Sequence, residues 1–79
     1  MRVRIAQPVS VFVSDSTVLI RLRKEYPDLS PGILINTLPE KKASYHGKEV
    51  AVIPFFFRSR IHYVIKTELE TSIGSLNSE

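Results

Sequence analysis

Residues 50–57, VAVIPFFF, form a nearly unbroken apolar run with one proline inside it, and no other segment restricts the fold as much. On a strand successive side chains alternate sides, so Ala51, Ile53, Phe55 and Phe57 share one face while Val50, Val52 and Phe56 share the other. Both faces are apolar, and both must be covered. A chain of 79 residues buries only about 60 % of the surface its unfolded form exposes. The second cover is therefore expected from another layer of the chain or from a second copy, with Phe55, Phe56 and Phe57 at a homodimer interface. Pro54 cannot donate to a ladder, which predicts an edge or a bulge at that point.

The run is eight residues long, whereas a membrane-spanning helix needs about 20, so no membrane partner is expected. The opening MRVRIAQPVSVFVSD begins basic, but Gln7, Pro8 and Ser10 interrupt its apolar part and no small-residue cleavage site follows. It reads as a poor signal peptide. With no cysteine there is no disulfide framework, and a cytoplasmic location is the expectation.

Periodicity supplies the other elements. RVRIA sets Arg2 and Arg4 against Val3 and Ile5, and VSVFVSD sets Val9, Val11 and Val13 against Ser10, Phe12 and Ser14; both read as strands separated by a bend at Gln7-Pro8. In SDSTVLIRLRKEYPD the residues Val18, Leu19, Leu22 and Tyr26 fall on one helical stripe, with Ser14, Asp15 or Ser16 available as a cap. The spacing predicts a helix over 16–26, closed by Pro27. A second, short helix is predicted from Ser30 to Leu38, with Pro31 in its first turn; a turn at Pro31-Gly32 followed by a strand is the alternative. The remainder reads as a meander: KASYH, a turn at Gly47-Lys48, EVAVIPFFF, a turn near Arg58-Ser59 and RIHYVIK. The expected architecture is one α+β domain over 1–70 in the order ββα(α)βββ, winged-helix-like or β-grasp-like. The final stretch TELETSIGSLNSE, residues 67–79, is expected to form one helical turn before fraying, with a flexible acidic tail over 71–79.

Charge is distributed unevenly. Residues 1–66 hold all eleven Lys and Arg against Asp15, Glu25, Asp28, Glu40 and Glu49, a balance of +6, and residues 67–79 hold Glu68, Glu70 and Glu79, a balance of −3. A basic body of this kind attracts polyanions. If two helices precede the meander, its basic hairpin occupies the place of a wing, with Arg58, Arg60 and Lys66 on the backbone of duplex DNA. Asn36 and Thr37 would then face base edges from the second helix, and Lys41 and Lys42 would hold phosphates just beyond it. The expected function is a small DNA-binding regulator that needs no cofactor. Exposed rings stacking on single-stranded bases are a further possibility, limited because three consecutive phenylalanines cannot all face one way on a strand.

LRKEYPDL after two strands, and GKEVAVIP later in the chain, resemble stretches of the small ubiquitin-like sulfur-carrier proteins. That resemblance implies a β-grasp fold and an adaptor or inhibitor role, binding a protein partner through an apolar sheet face. Those proteins end in Gly-Gly just after the second stretch; here FFFRSRIHYVIK follows, so no thiocarboxylate chemistry is implied. Catalytic signatures are absent as well. His46 and His62 have no second metal ligand at a usable spacing, no serine lies in a nucleophile elbow, and the glycines are scattered. Neither an enzyme nor a metal site is expected.

Overall fold

The apolar run forms the longest strand of a curled antiparallel sheet, described over residues 2–72 in a computed structural model. In chain order the elements are β1 (Arg2–Arg4), β2 (Val9–Val13), β3 (Arg23–Leu29), β4 (Leu34–Asn36), β5 (Lys41–Tyr45), β6 (Lys48–Phe57), β7 (Arg60–Ile65) and α1 (Lys66–Ser72). Five strands run in the order β3-β2-β7-β6-β5, and β1 and β4 form a separate ribbon. Among the described residues the protein is α+β only in the coarse sense of a mostly antiparallel sheet with one short helix, and the order ββα(α)βββ does not hold. The described residues contain neither the helix pair of a winged helix nor the sheet-crossing helix of a β-grasp. Expected tail residues 73–79 lie outside the described part of the chain, while 71 and 72 close α1.

The predicted helix over 16–26 is a loop leading into β3. Ile20 is buried, but Val18 is 93 % and Tyr26 77 % exposed, so the helical stripe has no core to face. The serines expected to cap a helix still capture orphan N–H groups, but in a turn: Ser16 Oγ accepts from Val18 and Leu19, and Ser14 Oγ accepts from Ser16 and Arg21. This is the local competition by which serine draws a chain away from helix. From Ile20 onward the effective period is two, with Ile20 and Leu22 directed into a core cluster and Arg21 and Arg23 exposed. The second predicted helix is also replaced, by the alternative turn and strand. The Ile33 N–H donates to the Ser30 carbonyl across Pro31-Gly32, and Gly32 has φ +92°. Proline followed by a residue with positive φ is the signature of a type II turn, which sends the β-branched Ile33 and Ile35 into extended structure.

Residues 20–22 also close the sheet. The Ser44 N–H donates to the Ile20 carbonyl and the Leu22 N–H to the Ser44 carbonyl, at 2.8 and 2.9 Å. The strip that runs into β3, one edge of the sheet, is thus bonded to β5, the other edge. The ring encloses Phe12, Ile20, Ala43, Val52 and Tyr63, one from each wall, and this burial pushes the Tyr63 hydroxyl pKa up. The opposite sheet face, with Val9, Val11, Phe55 and Val64, packs under Val3, Ile5 and Ile35 of the ribbon segments and Leu69 of α1. Both faces of β6 are therefore covered from within the chain along most of its length.

Two irregularities in the ladders are resolved locally. The Pro54 carbonyl accepts from the Leu38 N–H at 2.8 Å. The N and C=O of a strand residue point to the same edge, so the missing donor of Pro54 faces the gap where β5 pairing stops at Val52 and the Thr37–Phe55 bridge begins. Proline occupies a local edge, as its chemistry predicts. On β2, the Ser10 N–H donates to the Glu68 carboxylate at 3.1 Å, so the acidic start of α1 completes a ladder position beyond the end of β7.

Ile20→Ala is expected to cost about 2–4 kcal/mol, because it empties a site inside the closed ring. Val18→Ala should stay within about 0.5 kcal/mol, the range of exposed substitutions; urea denaturation of both variants checks the assignment of 16–26. Glu68→Ala should cost about 1 kcal/mol by leaving the Ser10 N–H without its acceptor, and Glu68→Gln, which keeps an acceptor oxygen, should cost less in the same assay.

Candidate nucleic-acid interface

The cations sort into paired and unpaired sets. Asp15 pairs with Arg23 at 3.3 Å, Asp28 pairs with Lys24, and Glu40 pairs with Lys66 at 3.0 Å. Lys66, expected on a nucleic-acid backbone, is thus occupied, and its hydrogen bond to Glu40 raises its pKa. The other eight of the eleven, Arg2, Arg4, Arg21, Lys41, Lys42, Lys48, Arg58 and Arg60, are exposed and have no carboxylate partner among the described residues.

They do not make one patch. Arg58 and Arg60 stand at the β6–β7 turn, whereas Lys41 pairs across from Val52, about 20 Å down the strand at 3.3 Å per residue. Adjacent on β5, Lys41 and Lys42 also point to opposite faces. Asn36 and Thr37 lie on or beside β4 rather than on a reading helix: Asn36 is exposed, and Thr37 is half-buried where it bridges to Phe55.

Of the three phenylalanines, Phe55 is fully buried and has no surface to offer a partner, and Phe57 is half-buried against the same cluster. Phe56 is the most exposed of the three, at 59 %. The reason is register. Val52, Pro54 and Phe56 share the face that the ring encloses, but the ring closes near β5 and leaves the turn end of β6 open.

What lies beside Phe56 was not foreseen. The Thr37–Phe55 bridge brings Asn36 level with Phe56, and Asn36 pairs with Arg2 while Leu34 pairs with Arg4. Val3 and Ile35 turn inward to the core, so Arg2, Arg4, Leu34 and Asn36 all face outward beside the exposed ring. The signal was present in the alternation of RVRI, which gives the outward positions of a strand to arginine; that strand's neighbours were not legible. An exposed aromatic ring flanked by two guanidiniums and an amide can stack on a base while holding the adjacent phosphates.

The turn that carries Arg58 has its own cost. Arg58 and Ser59 have φ of 56° and 66°, the pair of positive values that defines a type I′ hairpin turn and that favours asparagine and glycine. The β5–β6 turn, His46-Gly47, meets the same requirement with φ of 52° and 77°, one residue earlier than predicted, and has glycine in its second position.

No family model matches this chain, and neither a curated protein nor a solved structure does. Among the described residues no helix is long and apolar enough to cross a membrane.

Ser59→Gly should stabilise the protein by about 0.5–1 kcal/mol, since glycine adopts the left-handed region without the Cβ penalty and part of that gain is lost to the freer unfolded chain. Thermal melts of the variant and the parent check the sign.

Proposed function

We propose that the protein binds nucleic acid, holding phosphates with its exposed arginines and stacking unpaired bases on Phe56. The observation that carries this reading is the surface row Arg2–Asn36–Phe56, with Arg4 and Leu34 alongside. It replaces major-groove reading by a helix with contact along a sheet face, and so favours single strands over duplex. Arg58 and Arg60 extend the cationic surface at the hairpin tip, and Lys41 and Lys42 contribute to the general attraction rather than to the platform. A role in regulation at nucleic acid, without a cofactor and in the cytoplasm, remains part of the proposal.

A homodimer through this face is disfavoured by its own chemistry. A two-fold interface brings the same patch from each copy together, and here that would oppose Arg2 and Arg4 with their own counterparts. Leu34, Leu38 and Phe56, at 45, 36 and 59 % exposure, favour a second reading in which this face docks a protein of acidic character.

Anisotropy titrations of a fluorescent oligo-dT and a blunt duplex at several salt concentrations separate the two. Single strands should bind more tightly than duplex. Phe56→Ala should weaken that binding by about 1–3 kcal/mol, the value of one stacked base. Arg2→Ala/Arg4→Ala should flatten the slope of log K against log salt by about 1.4, two contacts at 0.7 each. Absence of binding at about 50 mM salt, where nonspecific contacts are strong, would leave the protein-docking reading as the better one.

A further inference from the structure

On the face opposite Phe56, a cleft of about 350 Å³ opens between β3 and the β6–β7 turn, within the size range of small-ligand sites. One rim is a bulge in β3. Val9 pairs with Leu29 and Val11 with Glu25, so that Tyr26, Pro27 and Asp28 arch out opposite the single residue Ser10. Lys24 braces the arch: its Nζ bonds the Glu25 carbonyl at 3.0 Å, pairs with Asp28, and stands 4.1 Å from the centre of the Tyr26 ring. The other rim is the strained turn with Arg58 and Arg60, and the floor is apolar, with Val11, Leu29, Ile33 and Phe57.

The walls are fixed before any ligand arrives. The His62 ring is 7 % exposed, stacks on Phe55 with centroids 5.7 Å apart, and meets Phe57 edge-on at 5.8 Å. Its Nδ1 lies 3.2 Å from the Arg60 carbonyl; a carbonyl only accepts, so Nδ1 donates and Nε2 has no partner among the described residues. The Arg58 guanidinium sits 5.2 Å from the centre of the Phe57 ring, which holds it over the apolar floor.

Charge selects the ligand. Asp28 is neutralised by Lys24, so the cleft presents two free guanidiniums against the single carboxylate of Glu25. Two guanidinium forks on one rim match a dianion with three terminal oxygens better than a carboxylate, and a phosphate monoester carries close to two charges near neutral pH. We propose that this cleft binds a small organic phosphate monoester. Arg58 and Arg60 hold the phosphate, a flat or apolar body lies on Phe57 and Ile33, and Glu25 accepts from a hydroxyl or amino group of that body. The cleft shares Arg58 and Arg60 with the cationic hairpin tip, but it does not include Phe56, which lies on the other side of the sheet.

The test is a titration of the ¹⁵N-labelled full chain with phenyl phosphate, inorganic phosphate and benzoate, followed by amide shifts. Phenyl phosphate should move amides of 25, 26, 28–30, 33 and 57–62, and should bind about tenfold or more tightly than either partial mimic. Ser30→Trp, which fills the cleft from an exposed rim position, and Arg60→Ala should each weaken it about tenfold, while Phe56→Ala leaves it unchanged and still weakens oligo-dT. Dispersed spectra establish that both cleft variants are folded; if Ser30→Trp is not, Arg60→Ala decides. Equal affinity for phenyl phosphate and inorganic phosphate, or unchanged binding in Arg60→Ala, overturns the proposal. So does binding of a 5′-phosphorylated oligonucleotide through the cleft without binding of phenyl phosphate.

Discussion

Everything in this protein is arranged around a strand that is apolar on both sides. β6 exposes no useful polar face over most of its length, and a chain of this size has little material with which to cover it. The solution uses the sheet itself for one cover. The strip 20–22 reaches from the β3 edge to the β5 edge and closes a ring over Val52 and Tyr63. The other cover is assembled from the ribbon and α1, whose Leu69 joins Phe55 and Val64 in the second cluster. Neither cover exists without the other, because β6 belongs to both cores; loss of one would expose the back of the remaining sheet to water.

Closing so small a sheet leaves backbone groups beyond the ends of its ladders, and the chain satisfies them with what is nearest. Glu68 accepts from Ser10 where β7 has ended, the Ser72 carbonyl accepts from Ala6 and Gln7 at the end of α1, and Leu38 donates to Pro54 between β5 and β4. Each contact joins segments far apart in sequence. The connections between strands are held in place by hydrogen bonds rather than by size of core, since an unpaired buried donor or acceptor costs more than the net gain of an ordinary pair.

Surface charge follows from the same economy. Three carboxylates are committed to braces, Asp15 at the loop before β3, Asp28 across the bulge and Glu40 to the start of α1, each exposed enough that its contribution to stability is small. Their commitment matters more for what it leaves, which is a set of arginines at the open end of the sheet that form no ion pair among the described residues. Phe56 and the cleft beside Phe57 lie on opposite faces of that end, where the ring no longer encloses β6 and the turn holds Arg58 and Ser59 at positive φ. Non-glycine residues in such conformations cost free energy and persist where the surrounding structure dictates them.

Strands were legible wherever side-chain period and residue type agreed. RVRI, VSVFV, the EVAVIPFFF hairpin and the inward and outward assignments of Val3, Ile5, Arg2 and Arg4 all follow from alternation, because a strand's faces are fixed by local geometry. Segments 16–26 and 30–38 were not, because spacing of Val18, Leu19, Leu22 and Tyr26 fits a helix as well as a strand entering a sheet. Which is formed depends on whether a partner exists for that face. Ser44 supplies a ladder partner for 20–22, and Ile5 supplies one for Gly32, contacts between residues more than twenty apart that no local pattern encodes. The residue types at the candidate site were likewise set by the sequence: an arginine-rich first strand, three consecutive rings, a basic hairpin tip. That Phe56 is the ring left in solvent, and that Arg2 and Asn36 stand beside it, was decided only by the Thr37–Phe55 bridge and the place where the sheet closes, since exposure depends on which neighbours arrive.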